Sequence, residues 1–132
     1  MKVIKNATVC LPEGLRQVDV AYNEDEIVEI GTDLHGEYEI DATGLTLLPG
    51  LVDVHVHLRQ PGQEEKETVD TGSLAAAHGG FTSIFAMPNV IPYPDDIETF
   101  VDYLKCILQN RHVRVFPYAC ITEDQAQVPS RV

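Results

Sequence analysis

The alternation running through Gly50-Leu51-Val52-Asp53-Val54-His55-Val56-His57-Leu58-Arg59-Gln60-Pro61-Gly62 constrains this chain more than any other stretch. Successive side chains of a β-strand point to opposite faces. On that reading Val52, Val54, Val56 and Leu58 share one face, and Asp53, His55, His57 and Arg59 share the other. A half-exposed strand with its polar side in water is the plain account of an isolated H-x-H. Two imidazoles aimed at one point are also a common start to a zinc or other divalent-metal site. The turn residues on either flank and the pattern downstream weigh towards the second.

Past Pro49 the chain alternates strand and helix. Residues 64–78 favour a helix, with Glu64, Glu65 and Glu67 in the first turn, where the helix dipole welcomes acids, and Gly79-Gly80 as its stop. Residues 81–87 form a second strand. After Pro94-Asp95-Asp96, the residues Ile97, Phe100, Val101, Leu104, Ile107 and Leu108 make an apolar stripe at helical spacing. Residues 113–119 form a third strand. The order β-α-β-α-β predicts an α/β fold with parallel strands and right-handed crossovers.

Function in such folds gathers at the carboxyl ends of the strands. That places His55, His57 and Arg59 on one rim with Asn89, which follows the second strand. Arginine can grip a carboxylate through two parallel hydrogen bonds, and an asparagine adds a donor. Taken singly, Asn89 is a turn residue after Pro88 and Arg59 a surface charge. Together they make a small-anion corner beside a metal.

Residues 1–49 have a different grammar: short strands at 3–9, 18–22, 27–31, 38–41 and 45–48, punctuated by turns such as Pro12-Glu13-Gly14. They predict a small all-β, sandwich-like segment, which divides the chain into 1–49 and 50–132. The acidic residues here are most simply a solvated surface. A net charge of −12 with no Lys/Arg cluster disfavours nucleic acid as a partner. Cys10, Cys106 and Cys120 are odd in number and widely spaced, which suits neither a disulfide framework nor a cysteine zinc site and fits a reducing cytoplasm. The first residues lack a signal peptide's apolar core, and no apolar run approaches membrane-spanning length. A cytoplasmic protein with no membrane partner is expected.

The 50–62 stretch resembles the first-strand signature of dihydroorotases, within the amidohydrolase superfamily. Lys66-Glu67-Thr68, the block Ala75-Ala76-Ala77-His78-Gly79-Gly80-Phe81-Thr82, and Met87-Pro88-Asn89 continue the resemblance from the N-terminus to about Thr122; it fades over 123–132. Arg59 after His57-Leu58, together with Met87-Pro88-Asn89, favours the dihydroorotase branch over hydantoinases; allantoinases are nearer relatives.

The resemblance implies a (β/α)8 barrel preceded by the β segment, with a one- or two-zinc centre at the barrel mouth. It implies His55 and His57 as zinc ligands, and Arg59 and Asn89 as the residues that hold a substrate carboxylate. The implied reaction is the reversible closure of N-carbamoyl-L-aspartate to dihydroorotate in pyrimidine synthesis. The family's bridging carboxylate (a carbamylated lysine, or an aspartate), its two later histidines and its proton-shuttling aspartate come from later strands. No catalytic residue is therefore expected within this chain, and His35, His78 and His112 do not substitute. A barrel of this kind takes ~250 residues, so the chain is expected to be an incomplete dihydroorotase, inactive alone. Two alternatives stay open. One is a non-catalytic segment that associates through its open sheet edge with a second copy or a complementing chain. The other is an allantoinase-like cyclic amidohydrolase.

Overall fold

Pro12 and Glu13 join β1 (Lys2–Leu11) to β2 (Gly14–Tyr22) in an antiparallel hairpin whose register pairs Leu11 with Gly14. Gly14 has a φ of +121°, which glycine adopts without penalty. The computed structural model of the chain describes residues 1–126 and divides into two units, Met1–Pro49 and Gly50–Val132.

In the first unit β3 (Ile27–Gly31) extends the sheet antiparallel to β2, while β4 (Tyr38–Asp41) and β5 (Thr46–Leu47) both run parallel to β1. The unit is all-β, but it is one five-stranded mixed sheet rather than the sandwich-like arrangement expected. The physical reason is the length of β1. Its first half pairs with β4 and its second half with β5, so the late strands lie along its edge instead of stacking above it. Ala7, Val9, Val18, Val20 and Ala42 form the core.

Between those halves β1 bulges. Ile4 pairs with Val20 and Ala7 with Val18, so Lys5 and Asn6 stand opposite Asp19 alone, and Asn6 takes a φ of 60°. The Asp19 carboxylate, in a residue only 5% exposed, holds this bulge. It accepts from the Asn6 amide at 2.8 Å and the Leu34 amide at 3.1 Å, and lies 3.3 Å from Lys5 Nζ. The Asn6 amide bond above all, with the Leu34 amide and Lys5, outweighs burial and holds the carboxyl below its usual range.

In the second unit β6 (Leu51–Val56), β7 (Phe81–Ala86) and β8 (Arg114–Pro117) form a parallel sheet in the order β6-β7-β8. The helices α1 (Val69–His78) and α2 (Ile97–Asn110) connect them, giving the α/β pattern expected. Ile84, Ala86 and Val115 of the sheet pack with Val69 of α1 and with Tyr103 and Ile107 of α2, and Leu58 and Val90 join that core. Side chains one position along the strands face the other way: Phe85 stacks on Phe116 with ring centroids 5.0 Å apart.

Both helices depart from the sequence expectation. α1 begins at Val69, not at residue 64, because Thr68 caps it: Thr68 Oγ1 accepts the Thr71 amide, and the Thr71 hydroxyl accepts the Thr68 amide. Glu64 instead accepts the Gly62 amide at 3.0 Å within the preceding loop. In α2 the buried line runs through Tyr103 and Ile107, while Ile97 and Leu108 of the expected stripe are exposed. Tyr103 can be buried because its hydroxyl donates to the Met87 carbonyl at 3.3 Å. Among the described residues no helix is long and apolar enough to cross a membrane.

Candidate functional site

β6 does not keep the strict alternation its sequence suggests. Asp53 pairs with Ile84 and Val56 with Ala86, so Val54 and His55 together oppose Phe85. An extra residue of this kind resets which side chains share a face. Asp53 falls in register with Ile84 on the helix side, and Val56 beyond the bulge packs against the same core. The expected grouping of Asp53 with the histidines is therefore corrected. Its Oδ1 accepts the His55 amide at 2.9 Å, satisfying a backbone group at the bulge. Nor do the four apolar residues form one buried face: Val54 is 61% exposed and Leu58 2%.

His55 and His57 nonetheless converge, with ring centroids 5.2 Å apart in an edge-to-face arrangement. His57 Nδ1–H donates to Asn89 Oδ1 at 2.7 Å, so the rim residue after β7 meets the imidazole after β6. Gln63 Nε2 donates to the Asn89 carbonyl at 3.1 Å, and the Ile91 amide donates to the Pro61 carbonyl at 2.9 Å. The loops leaving β6 and β7 are thus tied to each other at three points.

Arg59 stands apart from the expectation. β6 ends at Val56, and Arg59 lies beyond it with a φ of 63°, so it belongs to the loop and not to the strand face that carries the histidines. Positive φ in a residue other than glycine is uncommon and clusters at functional positions. The guanidinium makes no hydrogen bond or ion pair with the described residues.

A cavity of about 460 Å³ opens beside His55, between Met87 and Pro88 after β7 and Tyr118, Cys120 and Thr122 after β8. It lies where all three parallel strands end. The Tyr118 hydroxyl donates to the Val54 carbonyl at 3.4 Å, and the Cys120 amide donates to the Pro94 carbonyl at 2.9 Å. Burial pushes the Cys120 thiol up from its ordinary value. Nothing in the sequence pattern singles out these residues after β8. Their place is set by β8 pairing with β7.

Two imidazoles supply two nitrogen donors and fit as half of a tetrahedral zinc shell. Among the described residues no group of three or more His, Cys, Asp or Glu side chains is placed to hold a metal ion. The other histidines lie elsewhere. His112 precedes β8 with Nε2 2.7 Å from Asp70, His35 sits between Asp33 and Glu39, and His78 ends α1.

Residues 44–128 match the Dihydro-orotase-like family, past the point near Thr122 where the sequence resemblance fades. Of the tail 123–132, residues 127–132 lie outside those the structure describes. The dihydroorotase of Lactobacillus helveticus is 50% identical over 93% of this chain and 29% of its own length. That of Staphylococcus aureus is 48% identical over 95% of this chain and 30% of its own. This chain thus spans less than a third of the curated relatives it matches. The fold is similar to that of L-hydantoinase (dihydropyrimidinase) from Arthrobacter aurescens, with a TM-score of 0.85 at 26% identity over 92% of this chain and 28% of that one. Dihydropyrimidinase from Brevibacillus agri aligns at a TM-score of 0.78 and 30% identity over 92% and 27%. With the family match running through β6, β7 and β8 and the loops that interlock at their ends, this chain belongs to the dihydro-orotase-like family.

Proposed function

We propose that this chain carries the opening strands and half of the metal-ligand set of a zinc-dependent dihydroorotase, which reversibly cyclises N-carbamoyl-L-aspartate to dihydroorotate in pyrimidine synthesis. The observation that carries the reading is the convergence of His55 and His57 at 5.2 Å, with Asn89 2.7 Å from His57 at the strand ends. The parallel order β6-β7-β8 and the hydantoinase neighbours support Gly50 onwards as the first units of a (β/α)8 barrel behind the 1–49 segment.

In this reading His55 and His57 hold zinc, whose chemistry is to acidify water and polarise a carbonyl. Arg59 and Asn89 hold the substrate carboxylate: the guanidinium, which bonds none of the described residues, through two parallel bonds, and the Asn89 Nδ2 amide through a third. Among the described residues no further donor joins the two imidazoles, so the reading assigns this chain half of the zinc shell and no proton-shuttling aspartate. The enzyme acts on a small molecule in the cytoplasm. The hydantoinase neighbours favour one second reading, a hydrolase of the same class acting on a hydantoin- or allantoin-type ring.

The test is to purify the protein as the cell makes it, then measure its zinc content and its rates on dihydroorotate, hydantoin and allantoin. Zinc with preference for dihydroorotate is expected. Preference for another ring overturns the substrate, and turnover without metal overturns the ligand assignment.

A further inference from the structure

We infer that Asn89 is a positioning residue for His57: it fixes which imidazole nitrogen is free, in addition to any contact with substrate. This rests on the metal reading above for its purpose, but the geometry is independent of it. Asn89 Oδ1 lies 2.7 Å from His57 Nδ1, and a carbonyl-type oxygen can only accept, so Nδ1 carries the proton. The other nitrogen, Nε2, is left as the lone-pair donor. Which ring nitrogen binds a metal is set by the hydrogen bond the other makes. Without a partner, a neutral histidine side chain favours the opposite tautomer, with the proton on Nε2. Asn89 is itself held: Gln63 Nε2 donates to its carbonyl at 3.1 Å, and two residues on, the Ile91 amide bonds Pro61. Among the described residues His55 has no equivalent partner for its ring. Its backbone amide is anchored by Asp53, and its ring lies beside the His57 ring. One histidine of the pair is therefore committed to a tautomer by a side chain from the loop after the neighbouring strand.

The experiment uses the full chain, free of metal, at a pH where the imidazoles are neutral. Nitrogen-15 NMR of the histidine rings reads the tautomer, and titration with zinc alone reads affinity. In the native chain His57 is expected as the Nδ1–H form. Asn89→Ala should move it towards Nε2–H and weaken zinc binding ~10–100-fold. Asn89→Asp, which keeps the acceptor, should restore both, and this rescue separates positioning from general damage. Should Asn89→Ala unfold, Asn89→Ser serves with the same readouts. An Nε2–H tautomer in the native chain, or an unchanged tautomer in both the alanine and serine variants, overturns the proposal. A tautomer that follows Asn89 while no variant takes up zinc upholds it, and it is then the metal reading that falls.

Discussion

Gly62 is packed so tightly against Ile91 that a Cβ on it would lie 2.5 Å from the Ile91 carbonyl oxygen, in a backbone with a φ of +93°. Conformation and space both demand glycine there. Gly62→Ala should therefore force apart the loops after β6 and β7. The expected cost is about 2 kcal/mol or more, read as a lowered denaturation midpoint. Asn89, in the second of these loops, should shift with them. An unchanged midpoint would show that the loops are not locked.

His55→Ala and His57→Ala in the full-length protein should each abolish turnover and strip the metal. The loss of affinity should exceed the ~10–100-fold that an outer partner of a ligand costs. Zinc analysis and dihydroorotate hydrolysis, run on the same preparations, check this. Retained metal with retained turnover contradicts the ligand assignment.

Arg59→Lys should raise KM roughly tenfold with little change in kcat, because an ammonium gives up one of two parallel bonds worth about 1.5 kcal/mol. Steady-state kinetics with dihydroorotate separate the two parameters. A KM equal to that of the native protein removes Arg59 from the substrate site.

In the first unit, Asp19 makes stability depend on pH. Its carboxyl is held below the usual range, first by the Asn6 amide, so the folded state binds its proton less readily than the unfolded chain. The stabilisation is fully present above the unfolded value of about 3.9 and is lost as pH falls through the lowered folded value. Glu39, held down chiefly by the Gly36 amide, and Asp41, chiefly by the Thr43 hydroxyl, act in the same direction. Acid titration followed by NMR of residues 1–49 should show this unit loosening below about pH 4. Asp19→Asn should cost roughly 2–3 kcal/mol at neutral pH, since it leaves Lys5 without its buried partner, and should flatten the acid limb. An acid limb as steep as that of the native chain would contradict this.

Thiol labelling should follow burial. Cys10 is exposed, whereas desolvation raises both Cys106 and Cys120, and Cys120 is only 5% exposed. Maleimide mass spectrometry should find Cys10 modified first, with Cys120 reacting only on unfolding. Early labelling of Cys120 would show that the loop after β8 opens.

What the residues alone reveal is uneven, and for physical reasons. Strand and helix identities follow from periodicity, and Asp96 and Gly79 mark helix ends at one residue's resolution. Pairings distant in sequence do not announce themselves. Nothing local says that β4 and β5 share β1, or that the uninterrupted alternation of 51–58 hides a bulge, because both arise from register against another strand. Tyr103 escapes an apolar-stripe search because it is polar by composition, yet its hydroxyl finds the Met87 carbonyl and the ring is buried. At the site, His55, His57 and Asn89 are visible as motif residues. Tyr118, Cys120 and Thr122 become cavity walls only once β8 is set beside β7.

Where Val54 and His55 share one rung opposite Phe85, β6 runs one residue longer than its partner. Asp53 before that rung and Val56 after it both face the helices, so His55 and His57 flank Val56 on the opposite face. The surplus residue thus turns Asp53 away from the imidazoles and leaves their own spacing untouched.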